Sequence, residues 1–126
     1  MAIKLNKLAP ILVVDAIEPC LSFWTDRLGF KKTVEVPEGG HLGFVILAKD
    51  GVEIMYQSRA SITKDIPALS SHVTSTLLYL DVTGFAELEA ALKGVDVVQP
   101  KRQTFYGATE IWVREPGGNV VGFAAR

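Results

Sequence analysis

This 126-residue sequence has few histidine and cysteine side chains from which a metal centre could be built. Zinc and the transition metals are bound in proteins mainly by imidazole, thiolate and carboxylate groups. The chain has two histidines, His41 in a glycine-rich segment and His72 in a serine-rich one. A metal site that joined them to Glu53 would need two loops to fold inward. We keep these three residues as candidate metal ligands and expect both histidines at the surface or at the rim of a cavity.

The single cysteine, Cys20, is the next reactive group. Without a second cysteine the chain forms no internal disulfide, which is typical of a protein of the reducing cytoplasm. No cationic neighbour that would lower the thiol pKa is evident near Cys20 in the sequence. The sequence also lacks a Gly-x-Ser-x-Gly motif and a glycine-rich phosphate loop that opens a helix. We therefore expect Cys20 to be an inert thiol of the core.

Cys20 lies in a segment with the apolar spacing of a helix. Apolar residues recur at i, i+3, i+4, i+7 and i+11, which places one stripe against a sheet. We expect Asp15 to cap this helix, with Glu18 as its capping-box partner and Pro19 in the first turn. Gly29 is expected to end the helix in the left-handed conformation. The stripe consists of Ile17, Cys20, Leu21, Trp24 and Leu28.

The same order of elements occurs twice along the chain. Each half contains a predicted strand, a helix closed by glycine and a turn-bounded hairpin. The second helix is predicted from Phe85 to Lys93 and ends at Gly94, which lies 65 residues after Gly29. A half-length module cannot bury its own sheet and must pack against its copy. We therefore predict one domain over residues 1–126, made of modules 6–58 and 76–125 and a linker 59–75.

Composition excludes several classes of partner. The chain is 48% hydrophobic and 21% charged with a formal net charge of -1, as in an ordinary globular protein. This balance does not provide the basic surface that binds nucleic acid or an anionic membrane. Basic residues such as Lys101 and Arg102 are interpreted as solvated surface. The sequence shows neither a signal peptide at its start nor an apolar run of about 20 residues, so we expect a cytoplasmic location.

Two segments resemble a known superfamily. They are Phe23-Trp24-Thr25-Asp26-Arg27-Leu28-Gly29-Phe30 and Trp112-Val113-Arg114-Glu115-Pro116-Gly117-Gly118-Asn119. Both are similar to the glyoxalase, bleomycin-resistance and extradiol-dioxygenase proteins, also called vicinal oxygen chelate (VOC) proteins. The first segment and the aromatic loop 105–107 look most like the bleomycin-resistance proteins. The resemblance implies an α+β fold, in which two βαβββ modules form curled mixed sheets around a cavity, and a homodimer with shared ligand sites.

The resemblance also indicates where a metal would be bound. The enzymes of the superfamily hold a divalent metal through His, Gln or Glu on the first and last strands of each module. Matched to that pattern, the positions fall on Leu8, Leu77 and Gly122, which have no metal-binding side chain. The fourth position falls on Glu53 or Met55. The sequence therefore predicts that the protein holds no metal and no other cofactor.

The same comparison predicts a surface for ligand binding. Alternation places Leu77, Tyr79 and Asp81 on one face of a strand, toward the cavity. Tyr79 and Tyr106 match positions where bleomycin-resistance proteins keep aromatic side chains that stack on their drug. Asp81 would attract a cationic ligand, or alternatively support the dipole of the helix that follows it. The further candidates, each of which fits plain sheet core equally well, are Phe44, Met55, Phe105 and Trp112.

Two functional hypotheses follow from the sequence. The first is a metal-free protein, more a binder than an enzyme, that sequesters an amphipathic or aromatic compound, for example a bleomycin-type antibiotic, in a dimer groove. The second is a divergent lyase or dioxygenase, with relocated metal ligands or with a cofactor-free site at Glu53, Asp81 or Glu110. Metal binding and turnover would distinguish them.

Overall fold

The computed structural model describes residues 2–72 and 74–126 and contains two four-stranded mixed sheets. The first sheet has the strand order β1-β4-β3-β2 and the second has the order β5-β8-β7-β6. In each sheet the first strand pairs in parallel with the last, and the other pairs are antiparallel. The predicted α+β fold with two curled sheets is confirmed. The strands are β1 (Ile11–Val14), β2 (Lys31–Glu38), β3 (His41–Lys49), β4 (Val52–Ser58), β5 (Leu77–Asp81), β6 (Asp96–Gln103), β7 (Thr109–Arg114) and β8 (Val120–Ala125).

Each sheet has a core face and an open face. On β3 and β4, Val45, Leu47, Ile54 and Tyr56 are buried, while the residues between them are partly exposed. Successive side chains of a strand point to opposite faces, so this alternation identifies the side that meets the helices. One hydrophobic cluster continues through both halves of the chain, from Leu12 to Phe123. The opposite faces are thus left free for function.

The first helix differs from its prediction at its amino-terminal end. Helix α1 (Glu18–Ser22) starts after Ile17 and has no side-chain cap, and it continues as a π-helical turn over Phe23–Arg27. The expected cap by Asp15 is wrong, because the Asp15 carboxylate accepts a hydrogen bond from Arg59 at 2.9 Å. Pro19 does lie in the first turn, and Gly29 and Gly94 have the expected positive φ, at 78° and 86°.

The segment after β4 forms helices where the sequence showed no clear periodicity. Helix α2 (Arg59–Asp65) is capped by Ser58, whose hydroxyl accepts the Ser61 N–H at 3.1 Å, and a 3-10 helix (Pro67–His72) follows. Lys64 of α2 forms an ion pair with Glu38 of β2. Helix α3 (Phe85–Ala91) ends two residues before the predicted limit. Among the described residues, no helix has both the length and the apolar character that crossing a membrane requires.

A buried carboxylate joins the two halves of the chain. Glu115, in the turn between β7 and β8, accepts hydrogen bonds from the Tyr56 hydroxyl and the Asn119 N–H, both at 2.5 Å. Tyr56 in turn accepts the Trp24 indole N–H at 2.9 Å. A Cβ atom on Gly117, in the same turn, would lie 2.6 Å from a methyl group of Val14, so only glycine allows this approach. The turn is therefore docked on the first half by both packing and polar contacts.

Cys20 lies beside this buried network. Its thiol is 1% exposed, and burial and the nearby Glu115 raise the pKa of Cys20 to about 12. A thiol with this pKa is almost entirely protonated at neutral pH and is a poor nucleophile. The predicted position of Cys20 in the core is confirmed, and its raised pKa agrees with the predicted low reactivity.

We predict that the substitution Tyr56→Phe destabilises the fold. It leaves the Trp24 N–H and one Glu115 oxygen without a partner in the core, which costs roughly 2 kcal/mol or more. Tyr106→Phe, at a half-exposed residue where water can replace the hydroxyl, should cost about 1 kcal/mol or less. Unfolding in denaturant measures both values. Equal stability of Tyr56→Phe and the unsubstituted protein would contradict the assigned role of this network.

Candidate functional site

The open face of the second sheet is defined by residues that alternate along β5 and β7. These are Leu77, Tyr79, Asp81, Glu110 and Trp112. The three β5 residues are exposed, while Leu78 and Leu80 between them pack against the core. The predicted division of this strand into two faces is confirmed. Tyr79 pairs with Gly122 of β8 in the parallel register, and Gly122 pairs with Trp112 of β7, so these residues form one row across the sheet.

Glu110 is the centre of a hydrogen-bond cluster on this face. Its side chain is only 1% exposed. One carboxylate oxygen accepts from Arg102 Nε at 3.0 Å, Arg102 Nη2 at 2.6 Å and Trp112 Nε1 at 3.0 Å. The other lies within 3.0 Å of the Tyr79 hydroxyl and 3.1 Å of the Tyr106 hydroxyl. One anion thus fixes three aromatic side chains at their polar ends.

These contacts change the proton affinities of the cluster. The hydrogen bond from Trp112 is the largest cause that lowers the pKa of Glu110, from 4.5 to about 2, and the bonds from Arg102 and the tyrosines act in the same direction against desolvation. The bond to Tyr106 is the main cause that raises the pKa of Tyr79, and desolvation and Glu110 add to it. Glu110 is therefore ionised and both its oxygens are occupied, which is unsuitable for a general base.

The aromatic rings form a continuous surface over the sheet. The Tyr79 and Trp112 rings lie 5.6 Å apart between centroids, and their planes are inclined by 37°. The Arg126 guanidinium lies 5.3 Å from the centre of the Tyr106 ring. Phe105, in the loop between β6 and β7, is fully exposed and meets Tyr106 edge to face at 5.1 Å. Flat rings held in this way suit contact with another flat ring.

The Trp112 indole occupies the place of a side chain at position 122. A Cβ atom added to Gly122 would lie 2.7 Å from two atoms of the indole ring. That distance is far inside van der Waals contact, so the strand tolerates only glycine beneath the ring. A metal ligand at position 122 and the indole in its present position exclude each other.

The other residues at the expected metal positions do not fit a metal either. Leu8 and Leu77 are 89% and 69% exposed and offer no donor atom. Glu53 accepts a hydrogen bond from Lys7 at 2.7 Å, so its charge is already paired. Among residues 2–72 and 74–126, no group of three His, Cys, Asp or Glu side chains is placed to hold a metal ion.

The remaining candidates lie apart from the cluster. His41, at the start of β3, is exposed and its Nδ1 lies 3.9 Å from a Glu18 oxygen. His72 is exposed at the end of the 3-10 helix. Phe44 and Met55 are partly buried on the first sheet. Of the predicted site residues, the structure brings together Tyr79, Tyr106, Phe105 and Trp112, with Asp81 two residues further along β5.

Arg102 is the residue that the sequence interpretation missed. Its exposure agrees with its interpretation as solvated surface, but it also forms an ion pair with the covered Glu110, which the sequence interpretation did not include. The two residues are direct partners across β6 and β7. Opposite charges at paired positions of a hairpin are a usable signal, but only once the register is known. The register of this strand pair shifts twice, so counting residues from the turn does not predict that Arg102 and Glu110 are partners.

Comparison with known proteins agrees with this geometry. The family model described as the glyoxalase/bleomycin resistance protein/dioxygenase superfamily matches residues 4–123. The chain belongs to this superfamily. No curated protein sequence matches it.

Solved structures of this VOC chain's relatives share its fold. A lactoylglutathione lyase from Agrobacterium tumefaciens is 14% identical with a TM-score of 0.75, and the match covers 95% of this chain and 92% of that one. TioX from Micromonospora sp. ML1 is 20% identical with a TM-score of 0.73, over 95% and 98% of the two chains. An integron cassette protein from the mobile metagenome of V. cholerae is 20% identical with a TM-score of 0.71, over 99% and 98%. At these identities the likeness shows the fold alone.

We predict that protonation of Glu110 weakens the folded state in acid. Its pKa is about 2 in the folded protein against 4.5 for the ordinary group, so its stabilisation is complete above pH 4.5 and is lost as the pH falls toward 2. The difference in unfolding free energy between the unsubstituted protein and Glu110→Gln should therefore shrink from about pH 5 downward. A difference that stays constant down to about pH 2 would contradict the low pKa. Glu53→Gln, which changes an acid paired to an exposed lysine, is the control.

Proposed function

We propose that this protein binds a small aromatic or amphipathic molecule on the open face of the second sheet and holds it without chemical change. The observation that carries the proposal is the set of aromatic rings fixed by Glu110. Rings held in place lose little conformational freedom when a ligand arrives, which favours binding. Sequestration of an antibiotic, as in the bleomycin-resistance proteins that the sequence resembles, is one form of this function.

The environments of Glu110 and Glu53 favour binding over catalysis. Of the three acids considered for a cofactor-free reaction, Glu110 is saturated with hydrogen bonds and Glu53 is paired with Lys7. Asp81 stands at the end of β5 on the same open face. A general base needs a free acceptor and a pKa near the working pH, and Glu110 has neither.

A second copy of the chain would complete the groove. Apolar side chains are exposed on the strands of both sheets, among them Ile11, Val36 and Leu77. Exposed apolar side chains on sheet strands are available to an interface with a partner or to a ligand. We therefore propose a homodimer in which the open face of one sheet is covered by the partner and the ligand is bound between them.

We predict that a neutral aromatic probe, naphthylmethanol, shifts the NMR signal of the Trp112 indole N–H and leaves that of Trp24 unchanged. Trp112 lies on the open face, whereas Trp24 is fully buried and bonded to Tyr56. Tyr106→Ala should weaken binding about tenfold because it removes a ring from the face. Ile66→Ala is the control, since Ile66 is 45% exposed and Tyr106 is 42% exposed, but Ile66 lies outside the face.

Two results would contradict the proposal. One is binding of the probe that moves the Trp24 signal alone or moves neither indole signal. The other is a stoichiometric divalent metal that survives dialysis of the same untagged preparation and supports turnover. The second result would instead favour a divergent lyase or dioxygenase.

A further inference from the structure

We propose that the ligand of the open face is a planar aromatic anion, with a carboxylate or a similar group bound by Arg102. This inference rests on the proposed binding function and adds the charge of the ligand to it. Arg102 is a charged group of the cluster that contacts Glu110 and also reaches solvent, because its side chain is 52% exposed. Glu110, which it contacts, is covered and cannot face a ligand.

The guanidinium of Arg102 has one edge occupied and one edge available. Its Nε and Nη2 atoms donate to Glu110 at 3.0 Å and 2.6 Å, which uses the side edge of the planar group. Within residues 2–72 and 74–126, Nη1 makes no hydrogen bond, so the edge formed by Nη1 and Nη2 keeps free donors. Two parallel N–H groups on one edge match the two oxygens of a carboxylate. The bonds to Glu110 thus fix the orientation of the Arg102 guanidinium and leave its other edge available to a second anion.

A cationic side chain of the protein already lies over one of the aromatic rings. The Arg126 guanidinium lies over the Tyr106 ring at 5.3 Å. A cationic ligand that approached this ring would meet a like charge within a short distance, whereas an anion would be attracted. Glu110 is covered and already paired, so the charged groups that a ligand on this face would meet are Arg102 and Arg126, with Asp81 as the acid beside them.

Two other acids, Glu53 and Asp81, could repel an anionic ligand. Glu53, on the first sheet, is neutralised by Lys7 at 2.7 Å. Asp81 is exposed on the same open face as the cluster, two residues beyond Tyr79 on β5. The register places Asp81 in one cross-strand row with Ala124, Glu110 and Arg102, so Asp81 lies beside the cluster and its charge counts there. It also lines a cavity with Arg126, which partly offsets its charge.

The test compares three probes that share one ring system and differ in charge. They are naphthalene carboxylate, naphthylmethanol and naphthylmethylammonium, each titrated into the full chain by isothermal calorimetry. We expect the carboxylate to bind about tenfold more tightly than the alcohol, and the ammonium to bind most weakly. Because all three carry the same ring, the ranking isolates the charge.

Three variants test whether Arg102 causes the preference for the carboxylate probe. Arg102→Lys keeps the charge but removes the planar fork, so the ratio of carboxylate to alcohol affinity, measured within the same variant, should fall from about tenfold toward one. Arg59→Lys, which alters an exposed arginine paired with Asp15 in the first half of the chain, should change nothing. Asp81→Asn should leave the order of the three probes as it was.

The outcomes separate this inference from the function on which it rests. If the alcohol binds and the carboxylate has no advantage, or the ammonium binds best, the inference is overturned and the binding function stands. Loss of an ammonium preference in Asp81→Asn would assign the site to Asp81 instead. If no probe binds, the binding function itself fails. A carboxylate advantage that is retained in Arg102→Lys would overturn the role of Arg102.

Discussion

A carboxylate that is covered on the face of a sheet must have its oxygens paired, and this constraint shapes the open face. Glu110 meets it with five donor contacts from four side chains, and the two tyrosine hydroxyls, which also lie 2.9 Å apart, share their two hydrogens among themselves and Glu110. Because each donor is attached to a rigid group, the bonds fix two phenol rings, an indole and a guanidinium. In the proposed binding function this anion does not contact the ligand, but it arranges the groups that would.

The same arrangement leaves no room for a metal ligand at position 122 of the last strand. The Trp112 indole reaches Glu110 only by lying over Gly122, and a side chain at position 122 would collide with it. An indole bound to a carboxylate and a metal ligand on the last strand are thus alternatives at one place. The second carboxylate network, at Glu115, joins the halves of the chain in the core, so the two buried glutamates serve separate purposes.

Much of the fold was predictable because it depends on periodicity. The apolar stripe around Cys20, the two closing glycines and the faces of β5 follow from spacing alone. The start of α1 was not predictable, because Asp15 is engaged by Arg59 from a distant helix. For the same reason the sequence could nominate Tyr79, Tyr106 and Trp112 but could not rank them above Phe44. What distinguishes these three rings is their position around Glu110 and Arg102. Those two residues are paired by a β6–β7 register that contains two shifts.

A crystal structure of the protein with naphthalene carboxylate would test the central claim most directly, since it locates ring and charge together. The account predicts the naphthalene ring against Tyr79, Tyr106 and Trp112, with the carboxylate on the outer edge of Arg102 and the bonds to Glu110 intact. A ring bound elsewhere, a carboxylate turned away from Arg102, or a metal ion on the open face would contradict it.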